Sequence, residues 1–230
     1  MDAEGRRNAL HTIWPLFGLR VRTPMLELRY PTDEDLAEIA EVAAAGVHDP
    51  ATMPFTTAWT DMPPPRQQVN SLLHHWLSRG SWSADSWHLP LVVVVDGALA
   101  GMQAATAKDF PTLREVVTGS WLGRSYHGRK LGTEMRHAIL HLAFEGLGAT
   151  QACSGAFDDN AASLGVSRKI GYEIDGRRQV VRRGEAAWQT ALRLGRERWE
   201  PQRRDDIEIV GLESCLGLFG LDQQDNERRT

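Results

Sequence analysis

The cations Arg124, Arg129 and Lys130 share one short run, GRSYHGRKLGT, with Gly123, Gly128 and Gly132, a grouping suited to an anion. Before it, Leu113 to Leu122 is rich in β-branched and aromatic residues, which predicts a strand. After it, Leu131, Met135, Ala138, Ile139 and Leu142 recur at helical spacing and predict an amphipathic helix. A strand therefore feeds a basic, glycine-containing loop that opens a helix. The first turn of a helix carries unpaired N–H groups and the positive end of the dipole. Such a site suits a diphosphate. A P-loop needs Lys followed by Ser or Thr, whereas Leu131 follows Lys130. A dinucleotide fingerprint needs G-x-G-x-x-G, which this run lacks.

The run resembles the acyl-CoA loop, Q/R-x-x-G-x-G/A, of the GCN5-related N-acetyltransferases, at His127-Gly128-Arg129-Lys130-Leu131-Gly132, followed by Thr133. Here His127 replaces Gln or Arg, and Lys130 replaces the middle glycine. A second block, Asp159-Asn160-Ala-Ala-Ser163 through Gly171-Tyr172, is similar to the family's N-x-x-S/A segment ending in G-F/Y. Its serine, and the Trp-Leu that ends the preceding strand, resemble the RimJ/RimL-type branch most. The resemblance spans roughly Met25 to Leu194. It implies an α/β fold of order βααβββαβαββ, with a mixed sheet splayed between the fourth and fifth strands and helices on both faces. It also implies acetyl-CoA, or another acyl-CoA, as cosubstrate and no metal. The cofactor contacts it implies are the main chain of Ser120, Trp121 and Leu122, then Arg124, His127 to Thr133, Asn160, Ser163 and Arg168. Arg168 and Lys169 reach the 3′-phosphate on this reading, or are simply solvated.

Acyl transfer to an amine needs a neutral amine, donors for a developing oxyanion, and a proton for the departing thiolate. Ser163 matches the serine that RimL-like enzymes are thought to place near the sulfur; the alternative is a small residue facing the cofactor. Many family members carry a tyrosine where Ser167 stands. For the base, Glu115 is the best-placed carboxylate, sharing a strand face with Val117, Gly119 and Trp121; the alternative is a strand-end charge paired with Arg114. The branch's second glutamate falls on Arg182. Catalysis can then rest largely on proximity.

Around these residues the chain divides into a leader (1–24), a catalytic domain (25–194), and a linker with a C-terminal packing segment (195–230). Thr32 is placed to cap a helix that runs to Gly46, with Asp33, Glu34 and Asp35 in its first turn. The loop from His48 to Pro65 is long and aromatic, which marks it as a substrate wall. Arg66 to Arg79 is a second helix bearing Val69, Leu72, Leu73, Trp76 and Leu77. Leu89 to Val95 is apolar throughout and predicts a strand buried on both faces. Asp96-Gly97 turns it into the next strand. Ile207 to Leu221 crowds eight large apolar residues into a tail, which predicts packing on a sheet edge or over the acceptor cleft.

A net charge of −4 argues against nucleic acid as a partner. The cysteines, Cys153 and Cys215, form no framework, so a cytoplasmic setting is expected. No apolar run is long enough to span a membrane. His137 and His141 have a metal-ligand spacing but lack a third ligand, so they read as a solvated helix face. His74 and His75 read as surface residues, and Asp158-Asp159 as a helix cap. Two functional classes stand. One is an acyl-CoA-dependent N-acyltransferase acting on a small-molecule amine or a protein N-terminus, with a homodimer as one possible assembly. The other is a non-catalytic acyl-CoA-binding module, or transfer of another acyl group such as succinyl.

Overall fold

The computed structural model describes residues 2–221; the polar stretch expected after Leu221 lies outside them. The first half contains helix α1 (Ala3–Ile13), strands β1 (Arg20–Arg22) and β2 (Glu27–Arg29), helices α2 (Asp33–Ala44) and α3 (Arg66–Gly80), and the hairpin β3 (Trp87–Val95) and β4 (Ala98–Ala107). A single turn, α4 (Phe110–Leu113), leads to β5 (Glu115–Leu122), α5 (Leu131–His141), β6 (Gln151–Phe157) and α6 (Ala161–Ile170). The hairpin β7 (Glu173–Arg182) and β8 (Glu185–Gly195), the turn α7 (Arg196–Trp199) and β9 (Glu208–Val210) follow. Apart from α4, the order from β2 to β8 is the expected βααβββαβαββ. Among the described residues, nine strands form one mixed sheet, β7-β8-β6-β5-β4-β3-β2-β1-β9.

Pairing is antiparallel except between β5 and β6, which are parallel over Glu115–Val117 and Gln151–Cys153 alone. Beyond that, β5 stays with β4 up to Leu122, and β6 stays with β8 up to Phe157. The sheet therefore opens between them, at the place expected of the fourth and fifth core strands. Local chemistry sets the flanks. Thr32 and Asp35 form a reciprocal capping box on α2. Asp96-Gly97 and Arg183-Gly184 all take positive φ, the geometry that matches the twist of hairpin strands. The strand expected from Leu113 begins later: Leu113 closes α4, and Arg114 is left-handed at φ 50°.

The two faces of the sheet differ. On one, Leu89, Leu91, Val93 and Val95 of β3 join the main core with Met135, Ala138, Ile139 and Leu142 of the α5 region. On the other, Leu36, Ile39, Val92, Leu99 and Met102 form a smaller core under α2. Leader and tail meet at the edge of the sheet, where β1 pairs with both β2 and β9. Cys215, Leu216, Phe219 and Leu221 are buried, and Trp82 Nε1 donates to the Leu218 carbonyl at 2.8 Å. The tail thus packs on the sheet edge. The linker braces α5: Arg204 donates to both oxygens of Glu134, at 2.7 and 3.0 Å. Burial alone would raise that carboxyl, but the Arg204 guanidinium outweighs it and holds the group below the usual range.

Helix α3 is inside out. Of its apolar residues, Val69, Leu73, Trp76 and Leu77 are 47–72% exposed, and only Leu72 packs inward. Gln67, Asn70, Ser71, His74 and His75, also at helical spacing, line a cavity instead.

Candidate active site

That cavity runs from the acyl-CoA-like loop, through the opening between β5 and β6, to the space under α3. It measures about 1440 Å³, larger than the roughly 300–1,000 Å³ of a pocket for one small ligand. Two substrates fit such a volume better than one.

At the loop end, Gly128 is at φ 75° and Lys130 at φ 64°. Lys130 is the N-cap of α5 and offers no side-chain cap, so the helix opening is left to a ligand. The Thr133 and Glu134 amides return to the Lys130 carbonyl at 3.1 and 3.2 Å; those just before them have no partner within the helix. His127 Nε2 lies 3.0 Å from the Leu122 carbonyl and ties the loop to the strand it leaves. His127, Gly128, Lys130, Leu131, Gly132 and Thr133 line the cavity, whereas Arg124, Arg129 and Arg168 do not. Arg129 lies 3.5 Å from Asp96 and over the Tyr126 ring.

In the opening, Ser154 Oγ donates to the Thr118 carbonyl at 3.3 Å. The Thr118 carbonyl therefore faces the gap, and alternation turns those of Ser120 and Leu122 the same way. Trp121 turns its main chain toward β4, and its indole joins the small core and the cavity wall. An extended ligand thus meets an open strand edge at Ser120, with the Leu122 amide beside it, the Leu122 carbonyl being held by His127. Arg136 lies below, 5% exposed, donating to Ser154 Oγ at 3.3 Å and set over the Tyr172 ring. Among the described residues it has no carboxylate partner. Across the gap, Asn160 caps α6 by accepting from the Ser163 amide at 3.1 Å, and both residues line the cavity. Asp158 and Asp159 do not cap: they pair with Arg177 and Arg182, because the chain turns them toward β7.

At the far end, Phe55, Trp59 and Trp121 form a chain of rings with centroids 5.2 and 5.6 Å apart. The floor is Pro90, Ala104 and Gly119, directly opposite one another on β3, β4 and β5. Above it stand His74, His75 and His88, with ring centroids 5.3 and 5.6 Å from His74. Burial pushes His75 down to about 3 and His88 to about 4, assisted by the neighbouring imidazoles. Both are neutral at physiological pH. Glu115 is not part of the cavity wall. It sits four residues before Gly119, on the order of 13 Å along the strand, and accepts from Gln151 Nε2 at 2.6 Å rather than pairing with Arg114.

The histidine pair on α5 is also covered. His141 is 8% exposed and edge-on to Trp199, and burial lowers both His137 and His141. The linker that buries them lies more than fifty residues downstream, so spacing alone reads them as solvated. Of His74 and His75, His74 is exposed as expected, whereas His75 is buried at 7% exposed, and both line the cavity. A signal did exist for them, in the polar stripe of α3 that alternates with the apolar one.

Residues 25–173 match the family model described as Acetyltransferase (GNAT) domain. The chain belongs to the GNAT family. Its fold recurs in a GCN5-related N-acetyltransferase from Brucella melitensis, 19% identical, TM-score 0.61, covering 79% of this chain and 80% of that one. It recurs in a GNAT-family acetyltransferase from Bacillus anthracis, 15% identical, TM-score 0.62, covering 77% and 99%. A RimL ribosomal L7/L12 alpha-N-protein acetyltransferase in complex with coenzyme A is 15% identical, TM-score 0.58, covering 75% and 95%. At these identities the likeness establishes the fold. The GNAT family uses acetyl-CoA, and this GNAT chain is an acetyl-CoA-dependent N-acetyltransferase. No helix among the described residues is long and apolar enough to cross a membrane.

Proposed function

We propose that the cavity holds acetyl-CoA from the α5 end and a primary amine under α3, with acyl transfer at the opening between β5 and β6. The observation that carries this is the continuity of one cavity from a helix N-terminus, past an open strand edge, to a separate chamber. The residues fit the cosubstrate: unpaired amides of the α5 first turn for the diphosphate, and the Ser120 and Leu122 main chain for the pantetheine arm. Lys130 takes the left-handed conformation a glycine would take, so its substitution leaves the loop shape intact. This favours an enzyme over a binding module.

Acetyl-CoA supplies the acyl thioester that the amine attacks. Ser163, half-buried at the start of α6, gives its hydroxyl proton to the departing sulfur. Its amide is fixed by Asn160, which holds the first turn in place. Arg168, exposed on the outer side of α6, and the loop cations contribute long-range attraction to the phosphates. Acceptors are a small primary amine or a protein N-terminus; the latter draws support from the fold shared with the RimL enzyme.

The test is free-thiol release from acetyl-CoA, with succinyl-CoA alongside, against benzylamine, lysine and an alanyl peptide. Wild-type protein should release thiol with at least one amine. Ser163→Ala should lower turnover by roughly 10²-fold while calorimetry shows CoA affinity nearly unchanged. Equal losses in both would make Ser163 a binding residue.

A further inference from the structure

We propose that Arg136 positions the arm of acyl-CoA in the opening between β5 and β6, its guanidinium donating to a carbonyl of that arm. The assignment rests on the acyl-transfer reading above. The family resemblance marks no role for Arg136, yet it lines the same cavity and is 5% exposed. A guanidinium carries a charge and five N–H donors, and burying either is costly unless it is paired. Among the described residues Nη1 alone is engaged, on Ser154 Oγ at 3.3 Å. Nε is buried without a partner, and Nη2 makes no bond to a described residue. The Tyr172 ring, with its centroid 5.7 Å from Cζ, covers one face of the group.

The carboxylates of the surrounding elements are committed elsewhere. Glu134, on α5 itself, is taken by Arg204 from the linker. Glu115 on β5 accepts from Gln151 at 2.6 Å. Asp158 and Asp159, before α6, pair with Arg177 and Arg182. Cys153 on β6 stays a thiol, because burial raises it above the usual range. The protein thus turns a buried cation toward the cavity without a counter-charge, an arrangement that a ligand oxygen completes.

Position says which part of the ligand does so. The Thr118 carbonyl, the Ser154 hydroxyl and Arg136 Nη1 form a chain of two 3.3 Å contacts where β5 and β6 part. The next open position on the β5 edge is Ser120, about 7 Å toward the loop. Along α5, Arg136 lies five residues beyond Leu131, about 8 Å deeper than the first turn. Strand and helix therefore lead inward from the loop to the same depth. An arm that leaves the first-turn amides and follows the Ser120 edge arrives against the guanidinium. That arm is uncharged and carries two amides and a thioester, so carbonyl oxygens are what it offers. A bond to one of them from a charged donor is stronger than a neutral pair, and it fixes how far the arm reaches.

The experiment is calorimetry of full-length wild type, Arg136→Met and Arg136→Lys with CoA and with adenosine 3′-phosphate 5′-diphosphate. The second ligand keeps the phosphates of CoA and lacks the arm, so a loss of general attraction would weaken both alike. Arg136→Met should bind CoA at least tenfold more weakly, about 1.4 kcal/mol, and the nucleotide nearly as wild type does. Arg136→Lys keeps the charge without the planar fork and should fall between. Free Arg136→Met should melt no lower than wild type, since it removes a buried unpaired charge. In wild type, the Arg136 Nε–H resonance should shift with CoA and hold still with the nucleotide, a reading that needs no variant. Unchanged CoA affinity, or equal losses for the two ligands, would overturn this assignment alone. A wild-type protein that binds neither ligand would instead overturn the cofactor reading beneath it.

Discussion

Helices α5 and α3 lie on opposite faces of one sheet, and they use their sequences in opposite ways. Helix α5 buries an apolar stripe, and its first turn gives backbone amides to the cavity. Helix α3 turns much of its apolar stripe to solvent and gives the cavity a row of polar side chains. On the proposed function, the cofactor end is built largely from main chain, which any acyl-CoA can use in the same way. The acceptor end of that proposal is built from side chains, which can differ from one amine to another without moving the sheet. A common cosubstrate and a variable acceptor would be served by such a division.

The contrast can be broken experimentally. Ile139→Ala in α5 should cost about 2–5 kcal/mol in denaturant unfolding, since it opens a cavity in a fully buried site. A loss below ~1 kcal/mol would mean that α5 is not the packed helix described. Gly128→Val should weaken CoA at least tenfold in calorimetry, on the order of 1.4 kcal/mol. A Cβ there meets nothing within 4 Å, so the loss would come from the positive φ that a β-branched residue resists. Unchanged affinity would remove the loop from the cofactor site. Leu77→Ser in α3, at a residue 72% exposed, should change stability by no more than about 0.5 kcal/mol. A large loss would show that this face is covered in solution.

The same contrast explains what could be read in advance. The strand–loop–helix around Lys130, the Thr32 cap and the Asp96-Gly97 turn are local: their causes lie within a few residues. The opening of the sheet was legible only through resemblance, since nothing in β5 or β6 alone says where pairing stops. The burial of His75 was not legible, because α3 carries a polar stripe beside its apolar one and periodicity does not say which faces the sheet. Two stripes were present, and the sheet face beneath, with Pro90, Ala104 and Gly119, leaves a hollow beyond the small core under α2. Burial of His137 and His141 depended on a distant linker, and the capping role expected of Asp158 and Asp159 depended on where β7 would pass.

The pairing of β1 with β9 has a consequence for how the chain is made. Val21 lies opposite Ile209, so the sheet edge joins residues 188 positions apart in the sequence. Contacts that close so long a loop form late, because the entropy of closure precedes any reward. During synthesis the chain emerges N-terminus first, and β1 exists well before its partner. Until Ile209 is released from the ribosome, β1 presents an unpaired edge of the kind that recruits other strands. A chain cut before Ile209 would therefore leave the β1 edge open to other strands.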